Sequence, residues 1–442
     1  MMMEPDNKKI ALISLGCPKN LVNSEEMAAL ISKAGFSFAD DPAEADAVVI
    51  NTCAFIESAK TEAIDRILET AALREINPDL KIIAAGCLAQ RYSDEIRSDL
   101  PEVDGILGTG SYSEIVSVLE SVLDGGRPTV RENISAPLRE LPRVVSTGPA
   151  WAYLRIAEGC DNRCAYCVIP SLRGRYRSRE RESILSEART LALSGVKELI
   201  IVAQDITRYG TDLYKKRCLS GLLRDLCEMD FSWIRLHYLY PEEIDDELID
   251  TIASEEKIVK YLDIPIQHIN DEILRRMNRR STCAEIRALF RKLRERIPGL
   301  VLRTSLITGL PGEGEAQFEE LCSFLREARI ERAGVFPYSP EEGTPAAAMT
   351  DRCDTEEAER RAGLCMGIQA EIMDEFAASL IGRTLSVLVM GREEDGTFWG
   401  RSEYDSPDID GRVLLSGDAY PGELLRVRVV AADEGDLIGE RV

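Results

Sequence analysis

Two separate sets of three cysteines are the most informative feature of this chain. The compact trio is Cys160, Cys164 and Cys167, in the segment Cys160-Asp-Asn-Arg-Cys164-Ala-Tyr-Cys167, and the dispersed trio is Cys17, Cys53 and Cys87. Iron–sulfur clusters usually take four thiolates. A cluster held by three would keep one iron open to an outside ligand. Each trio therefore predicts a cluster at which chemistry takes place, not a simple electron store.

Zinc is the main alternative for the compact trio. Structural zinc sites usually combine two C-x-x-C pairs, or add histidines at set spacing. The chain has two histidines, His237 and His268, and neither lies near the compact trio in sequence. For the dispersed trio the alternative is three buried core residues, because free cysteine is often buried. The remaining cysteines lack ligand spacing and are predicted to be core or surface thiols: Cys218, Cys227, Cys283, Cys322, Cys353 and Cys365.

Composition excludes several classes of protein. The 442 residues are 45% apolar and 30% charged, which is typical of a globular protein with two to four domains. No apolar run approaches the roughly 18–20 residues that cross a bilayer, and the polar N-terminus lacks the apolar core of a signal peptide. We therefore expect a cytoplasmic protein with reduced thiols. The formal net charge of −23 disfavours a large nucleic-acid surface and suits a basic protein partner.

The first part, residues 9–124, alternates strand and helix patterns. Apolar runs at 10–15, 47–50 and 82–85 predict buried strands, separated by helical patterns at 24–34 and 58–73. This order predicts an open α/β sheet. A member of the dispersed trio follows each strand, so in a parallel sheet all three would meet at the edge where such folds bind ligands.

The second part is predicted to be a partial (β/α) barrel over residues 149–378, joined to the first by a linker at 125–148 that is rich in Gly, Pro and Ser. Helical patterns at 184–194, 242–253 and 316–328 separate the strands, and a long helix at 355–380 closes this part. The site of such a barrel lies at the carboxyl ends of its strands. The predicted strands are 152–157, 198–203, 233–239, 261–266, 301–307 and 334–338.

The third part, residues 380–442, is predicted to be a small antiparallel β-barrel of the oligonucleotide-binding type. Its predicted strands are 386–390, 398–402, 413–415, 424–430 and 437–441. From Arg383 onward there are 7 Arg and no Lys against 13 Asp plus Glu, a net charge of −6. A barrel that binds RNA normally presents a positively charged surface. The net charge of −6 does not predict such a surface.

The open iron of a cluster at the compact trio could bind the amino and carboxylate groups of S-adenosylmethionine. One electron would then cleave a carbon–sulfur bond and give a 5′-deoxyadenosyl radical. Tyr166, beside the third thiolate, is a candidate to cover the cluster or the adenine; simple packing is the alternative.

At these residues the chain resembles a known family. The compact trio on a six-unit barrel resembles the radical S-adenosylmethionine enzymes. The terminal barrel resembles a TRAM domain. The resemblance implies that both trios hold 4Fe–4S clusters. Three further segments resemble the methylthiotransferase domain: Ser14-Leu-Gly-Cys17-Pro-Lys-Asn20, Asn51-Thr-Cys53-Ala-Phe-Ile56 and Ala85-Gly-Cys87-Leu-Ala-Gln90.

Within this family the chain is similar to the branch that methylthiolates the β-carbon of an aspartate in ribosomal protein S-twelve, free or within the small subunit. The resemblance implies that the radical takes hydrogen from an aspartate CH₂, that the N-terminal cluster presents sulfur, and that a second S-adenosylmethionine supplies the methyl group. An electron-donor protein and a sulfur source are then further partners. The segments that carry this similarity are Ala157-Glu-Gly-Cys160, Ala203-Gln-Asp205, Tyr238-Leu-Tyr-Pro241, Tyr261-Leu-Asp-Ile-Pro-Ile-Gln-His268 and Asp405-Ser-Pro-Asp-Ile-Asp-Gly411.

Two rival functions stay open at this point. The first is the family branch that modifies tRNA adenosine, which a basic patch on the terminal barrel would favour. The second is an electron-carrying or RNA-binding iron–sulfur protein. Electron-carrying proteins usually bind each cluster through four thiolates. The two sets of three cysteines therefore argue against an electron carrier.

Weaker signals lie near the predicted barrel mouth. Gly309, in Thr308-Gly-Leu-Pro-Gly-Glu313, is a candidate cofactor contact or simply part of a tight turn. Asp263 is a candidate cofactor ligand, and His268 is expected to be structural. The arginines that follow the compact trio could meet ribosomal RNA or a carboxylate, or form a solvated face: Arg173, Arg175, Arg177, Arg179 and Arg181. No residue is predicted as a catalytic acid or base.

Overall fold

Short runs of buried aliphatic residues form the first sheet. The computed structural model describes residues 8–148 and 150–442. The strands are β1 (Lys9–Ser14), β2 (Ser37–Phe38), β3 (Ala47–Thr52), β4 (Lys81–Gly86), β5 (Gly105–Gly108) and β6 (Thr129–Val130). All neighbouring pairs are parallel, in the order β2-β1-β3-β4-β5-β6. The predicted open α/β sheet is therefore confirmed, and β6 adds an edge strand within the predicted linker.

Five helices cover the two faces of this sheet. They are α1 (Pro18–Lys33), α2 (Glu57–Ala72), α3 (Cys87–Arg91), α4 (Ser93–Asp99) and α5 (Ile115–Leu123). The two core clusters on its faces are almost entirely aliphatic. Because both faces are covered, the strands read as continuous apolar runs, which is why the sequence located them.

The second sheet forms the predicted partial barrel. Its strands are β7 (Trp151–Arg155), β10 (Glu198–Val202), β11 (Trp233–Leu236), β12 (Ile258–Asp263), β13 (Val301–Thr308) and β14 (Arg332–Pro337). They are parallel and ordered β14-β13-β12-β11-β10-β7, without closure between β14 and β7. A short antiparallel ribbon, β8 (Ala157–Glu158) with β9 (Arg177–Ser178), follows β7.

The helices of the second part pack on the outer face of the partial barrel, except the first, which packs against α3 of the first part. They are α6 (Ile169–Arg173), α7 (Arg181–Leu193), α8 (Leu219–Cys227), α9 (Asp246–Ser254), α10 (Asp271–Arg276), α11 (Cys283–Arg296), α12 (Glu315–Ala328) and α13 (Thr355–Leu380). Side chains alternate along each strand. One set, including Leu199 and Ile201, joins the main helical core. The other set, including Tyr153 and Tyr261, forms a separate cluster that also contains Leu388 from the third part.

The third part is a closed five-stranded barrel, so its strands have no free edge. Its strands are β15 (Thr384–Arg392), β16 (Phe398–Ser402), β17 (Val413–Ser416), β18 (Leu424–Asp433) and β19 (Asp436–Arg441), ordered β15-β16-β17-β19-β18. Four neighbouring pairs are antiparallel, as expected, and the β17–β19 pair is parallel. No helix among the described residues is long and apolar enough to cross a membrane.

Buried charges fix the terminal barrel against the concave face of the partial barrel. Glu198 is fully buried and accepts hydrogen bonds from Arg235 Nε at 2.6 Å and from Arg401 Nη2 at 2.5 Å. Burial alone raises the pKa of Glu198, but the two guanidinium groups outweigh it and hold that pKa below its ordinary value. Nearby, Arg332 pairs with Asp405 at 2.7 Å. These contacts tie the terminal barrel to strands that lie 203 and 73 residues earlier in the chain.

We predict that Glu198→Gln destabilises the protein far more than the loss of an exposed ion pair. The substitution leaves Arg235 and Arg401 buried without a counter-charge, which costs about 3–5 kcal/mol of the free energy of unfolding. Glu440→Gln is the matched control, because the Arg428–Glu440 pair is 57% and 54% exposed and contributes about 1 kcal/mol at most. Urea and thermal unfolding of both variants measure the difference. Equal losses would contradict the structural role of Glu198.

Candidate functional site

The dispersed trio converges at one edge of the first sheet, as the strand pattern predicts. Cys17 caps the N-terminus of α1, Cys53 follows β3, and Cys87 is the first residue of α3. Glycine makes this approach possible. Gly16 has a φ of +85°, and a Cβ on it would lie 2.7 Å from the Cβ of Cys53. Any larger residue at Gly16 would push the Cys17 and Cys53 segments apart.

A buried polar network surrounds the dispersed trio. Asn20 donates hydrogen bonds to the carbonyls of Leu15 and Thr52, at 2.9 and 3.0 Å. Its Oδ1 accepts a short hydrogen bond from Arg173 Nη2 and lies 3.9 Å from the sulfur of Cys87. Arg173 thus places a guanidinium beside the trio from the far side of the domain boundary.

The thiols of the dispersed trio are held in different protonation environments. Burial raises the pKa of Cys53 to about 12 and also raises the pKa of Cys87. Burial acts in the same direction on Cys17, but Lys19 and Arg173 outweigh it and lower its pKa. At neutral pH the Cys53 and Cys87 thiols are therefore protonated unless a metal or cluster binds them. Binding of a metal or cluster would release their protons.

The compact trio lies in a loop that three neighbouring segments anchor through backbone hydrogen bonds. Cys160 N–H donates to Gly174 O at 3.1 Å, Ala165 N–H donates to Met277 O at 3.0 Å, and Ala346 N–H donates to Ala165 O at 2.9 Å. Gly159 has a φ of +81°, and a Cβ on it would lie 2.1 Å from Arg175 O. The loop therefore depends on glycine at the position before Cys160.

Aromatic and cationic side chains surround Cys164. The hydroxyl of Tyr240 lies 3.3 Å from its sulfur, and Arg279 Nη1 lies 3.8 Å from it. The guanidinium of Arg279 stacks over the ring of Tyr240, 4.4 Å from the centroid. Tyr166 is half-buried and packs against a cluster that includes Leu310 and Tyr338. These contacts fit the packing interpretation of Tyr166, and its cofactor role stays a prediction.

The donor sets fit a cluster better than a single metal ion. Within residues 8–148 and 150–442, no three Cys, His, Asp or Glu side chains converge closely enough to hold one ion. A mononuclear zinc site requires such convergence. A 4Fe–4S cube does not, because each of its thiolates binds a different iron. Both trios present only sulfur donors, which suits iron–sulfur clusters.

The other candidate cofactor residues lie apart from one another. Asp263 accepts hydrogen bonds from Arg303 Nη1 at 2.8 Å and from Tyr238 N–H at 3.1 Å, on the concave face and on the side of Cys17. Gly309 has a φ of +77° and lies against the start of α13, where a Cβ would be 2.5 Å from Ala358 Cβ. The cofactor contacts predicted for Asp263 and Gly309 stay predictions.

His268 has the structural role expected of it. Its Nδ1 accepts the N–H of Asn270 at 3.0 Å, so its proton lies on Nε2, 3.3 Å from Glu313 Oε2. Glu313 also accepts the N–H of Gly309 at 3.0 Å. His268 and Glu313 together hold the Gly309 turn in place.

Most of the arginine strip after the compact trio is internal structure. Arg173 and Arg179 are buried, and Arg179 pairs with Glu140 and Glu187. Arg181 pairs with Asp225, while Arg175 is exposed. The expectation of a continuous solvated or RNA-facing strip is wrong, because the segment is not one extended strand: Arg173 ends α6 and Arg181 begins α7.

A cavity of about 330 Å³ lies where the three parts of the chain meet. Cys17 lines it from the first sheet, and Tyr238, Asp263 and Arg303 line it from the partial barrel. The loop of the terminal barrel that contains Asp408 completes the wall. One cysteine of the dispersed trio therefore faces the concave side of the barrel across this cavity.

Sequence reasoning missed several residues of this site. Tyr240 lies just after a predicted strand, a position that could have marked it. Lys19 lies within a quoted family segment, two residues from a cysteine. Nothing in the sequence marks Arg279 or Arg303 as a site residue, because single arginines on a strand or loop are usually exposed.

Comparisons with known proteins agree with this geometry. Three family models match: an uncharacterized protein family, UPF0004, over residues 9–108, the radical SAM superfamily over residues 154–325, and the TRAM domain over residues 381–442. Among solved structures, a radical S-adenosylmethionine methyltransferase, TsrM, from Kitasatospora setae, with cobalamin and a 4Fe–4S cluster bound, superposes with a TM-score of 0.55. That alignment has 15% identity and covers 86% of this chain and 80% of the other, so it supports the fold alone.

Close relatives cover nearly the whole chain. The ribosomal protein uS12 methylthiotransferase RimO of Lachnoclostridium phytofermentans is 49% identical, over 98% of this chain and 99% of that protein. The protein of the same name from Caldanaerobacter subterraneus subsp. tengcongensis is 47% identical, over 98% of this chain and 100% of that protein. The resemblance seen in the cysteine segments is thus confirmed along the full length. The chain belongs to the RimO family of radical SAM methylthiotransferases.

Proposed function

We propose that this protein methylthiolates the β-carbon of an aspartate in ribosomal protein uS12, as a radical SAM transferase with two 4Fe–4S clusters. The observation that carries the proposal is the cavity between the dispersed trio and the concave face of the partial barrel. A reaction that joins a carbon radical to sulfur needs both sources to face one substrate carbon. Holding reactants in such geometry supplies much of an enzyme's rate advantage.

The proposed cofactors are held by the two trios. Cys160, Cys164 and Cys167 would hold one cluster with S-adenosylmethionine, and Cys17, Cys53 and Cys87 would hold the other. When bound, these groups supply one-electron cleavage of S-adenosylmethionine to a carbon radical, a sulfur atom and a methyl group.

The chain's own residues position and shield this chemistry. Arg279 and Tyr240 fix the surroundings of Cys164, and Arg173 links the two trios through Asn20. The terminal barrel closes one side of the cavity. Closure of this kind keeps water and side reactions away from a reactive site.

Charge favours a basic protein over tRNA as the partner. The chain carries a net charge of −23. In the terminal barrel, four of the seven arginines pair with acidic groups: Arg401 with Glu198, Arg412 with Glu393, Arg428 with Glu440 and Arg441 with Glu423. These pairs remove positive charge from the surface that an RNA-binding barrel would use. We further propose a cytoplasmic location, a protein electron donor and an external or cluster-derived sulfur source.

We predict that the protein carries two clusters, each lost independently. Anaerobically reconstituted protein should hold about eight irons per chain, and Cys53→Ala or Cys160→Ala should each retain about four. Cys227→Ala is the matched control, because that thiol is also buried and lies outside both trios. Iron analysis and visible absorbance measure the result. Full iron in Cys53→Ala would overturn the cluster assigned to the dispersed trio.

Cells that lack the gene should lose the methylthio group from one aspartate of uS12. Mass spectrometry of ribosomal proteins and of tRNA nucleosides from the same cells tests this. Complementation with the native gene or with Cys227→Ala should restore the mass increment, and Cys160→Ala should not. Loss of a methylthio group from tRNA nucleosides, with uS12 unchanged, would overturn the proposal in favour of the tRNA branch.

A further inference from the structure

A buried cation lies beside the cavity, and no carboxylate of the described chain pairs with it. Lys19 lies on α1, two residues after Cys17, and is 7% exposed. Its Nζ lies 3.6 Å from the centroid of the Tyr238 ring, and Tyr238 lines the cavity. Across residues 8–148 and 150–442, no carboxylate oxygen lies within 4.0 Å of this nitrogen.

Three other titratable groups in this region already have partners. Arg303 pairs with Asp263 at 2.8 Å. The imidazole of His237 shares a hydrogen bond of 2.9 Å with the hydroxyl of Ser406. Glu158 is shared by Arg155 and Arg173 at 3.1 and 3.4 Å. Lys19 therefore has no carboxylate partner within 4.0 Å among the described residues.

An unpaired ammonium in a buried site is unfavourable unless an anion completes it. The cation–π contact with Tyr238 offsets only part of the lost hydration. The cavity walls also carry Asp263 and Asp408, which repel a multiply charged phosphate. A single carboxylate on a peptide therefore matches this site better than an RNA backbone.

We propose that Lys19 binds the side-chain carboxylate of the substrate aspartate. In aspartate the carboxylate is bonded directly to the β-carbon. A carboxylate held by Lys19 would place that carbon in the cavity, on the side of Cys17. This inference rests on the proposed function and adds the residue that selects aspartate.

The alternative role for Lys19 is to offset the negative charge of the dispersed trio. Arg173 already provides a cation at that position, since it donates to Asn20, whose Oδ1 lies 3.9 Å from the Cys87 sulfur. The two roles differ in what they affect. A charge-offsetting role changes cluster binding, whereas a substrate role changes the preference for aspartate.

The test compares two forms of uS12, one with the native target aspartate and one with asparagine in its place. Reconstituted native enzyme, Lys19→Met and Lys19→Arg are assayed for kcat/KM and for equilibrium binding of each form. Lys33→Met is the matched control, because Lys33 is an exposed lysine on the same helix. Iron content is measured on every variant.

We expect native enzyme and Lys33→Met to favour the aspartate form by about 30-fold to 1,000-fold, the range for a buried charge-assisted hydrogen bond. Lys19→Met should lower that preference to near onefold while keeping its iron, and Lys19→Arg should restore part of it. Retained preference in Lys19→Met, or loss of iron from it, would overturn the proposal. If native enzyme leaves uS12 unmodified, the proposed function fails together with this inference.

Discussion

The relative position of the two cysteine trios depends on one buried guanidinium. Arg173 follows the compact trio by six residues and donates to Asn20 and Asn23 on the helix that begins after Cys17. The same group lies 3.4 Å from Glu158, just before Cys160. A single side chain thus connects both cluster loops. Because a buried arginine needs all of its partners, any shift between the two parts would leave charge uncompensated.

Much of the architecture could be predicted from the sequence, because buried parallel strands are continuous apolar runs. The convergence of Cys17, Cys53 and Cys87 followed from strand order alone, since carboxyl ends meet at one edge of a parallel sheet. The helix over residues 355–380 was predicted with the bounds that the structure shows. These are properties of local periodicity and connection length, which a single sequence contains.

The cavity could not be predicted in this way, because its wall comes from three parts of the chain. Asp263 lies on the side of Cys17 and accepts a hydrogen bond from Arg303, and its predicted cofactor contact stays a prediction. Nothing in the sequence marks Lys19 as buried, because lysine side chains are usually exposed. Its burial results from docking of the first sheet against Tyr238, a contact between residues more than 200 positions apart. Long-range packing of this kind leaves no periodic signal.

The terminal barrel forms one wall of the cavity. Its buried charges serve internal contacts: Arg401 reaches Glu198, and Asp405 receives Arg332 from β14. A barrel that uses its charges for internal docking cannot also offer them to phosphates. The terminal barrel contributes the loop that contains Asp408 to the cavity wall. The carboxyl group of Asp408 thus lines a cavity that has the buried cation Lys19 beside it. This arrangement is complementary to a basic protein that presents one acidic side chain.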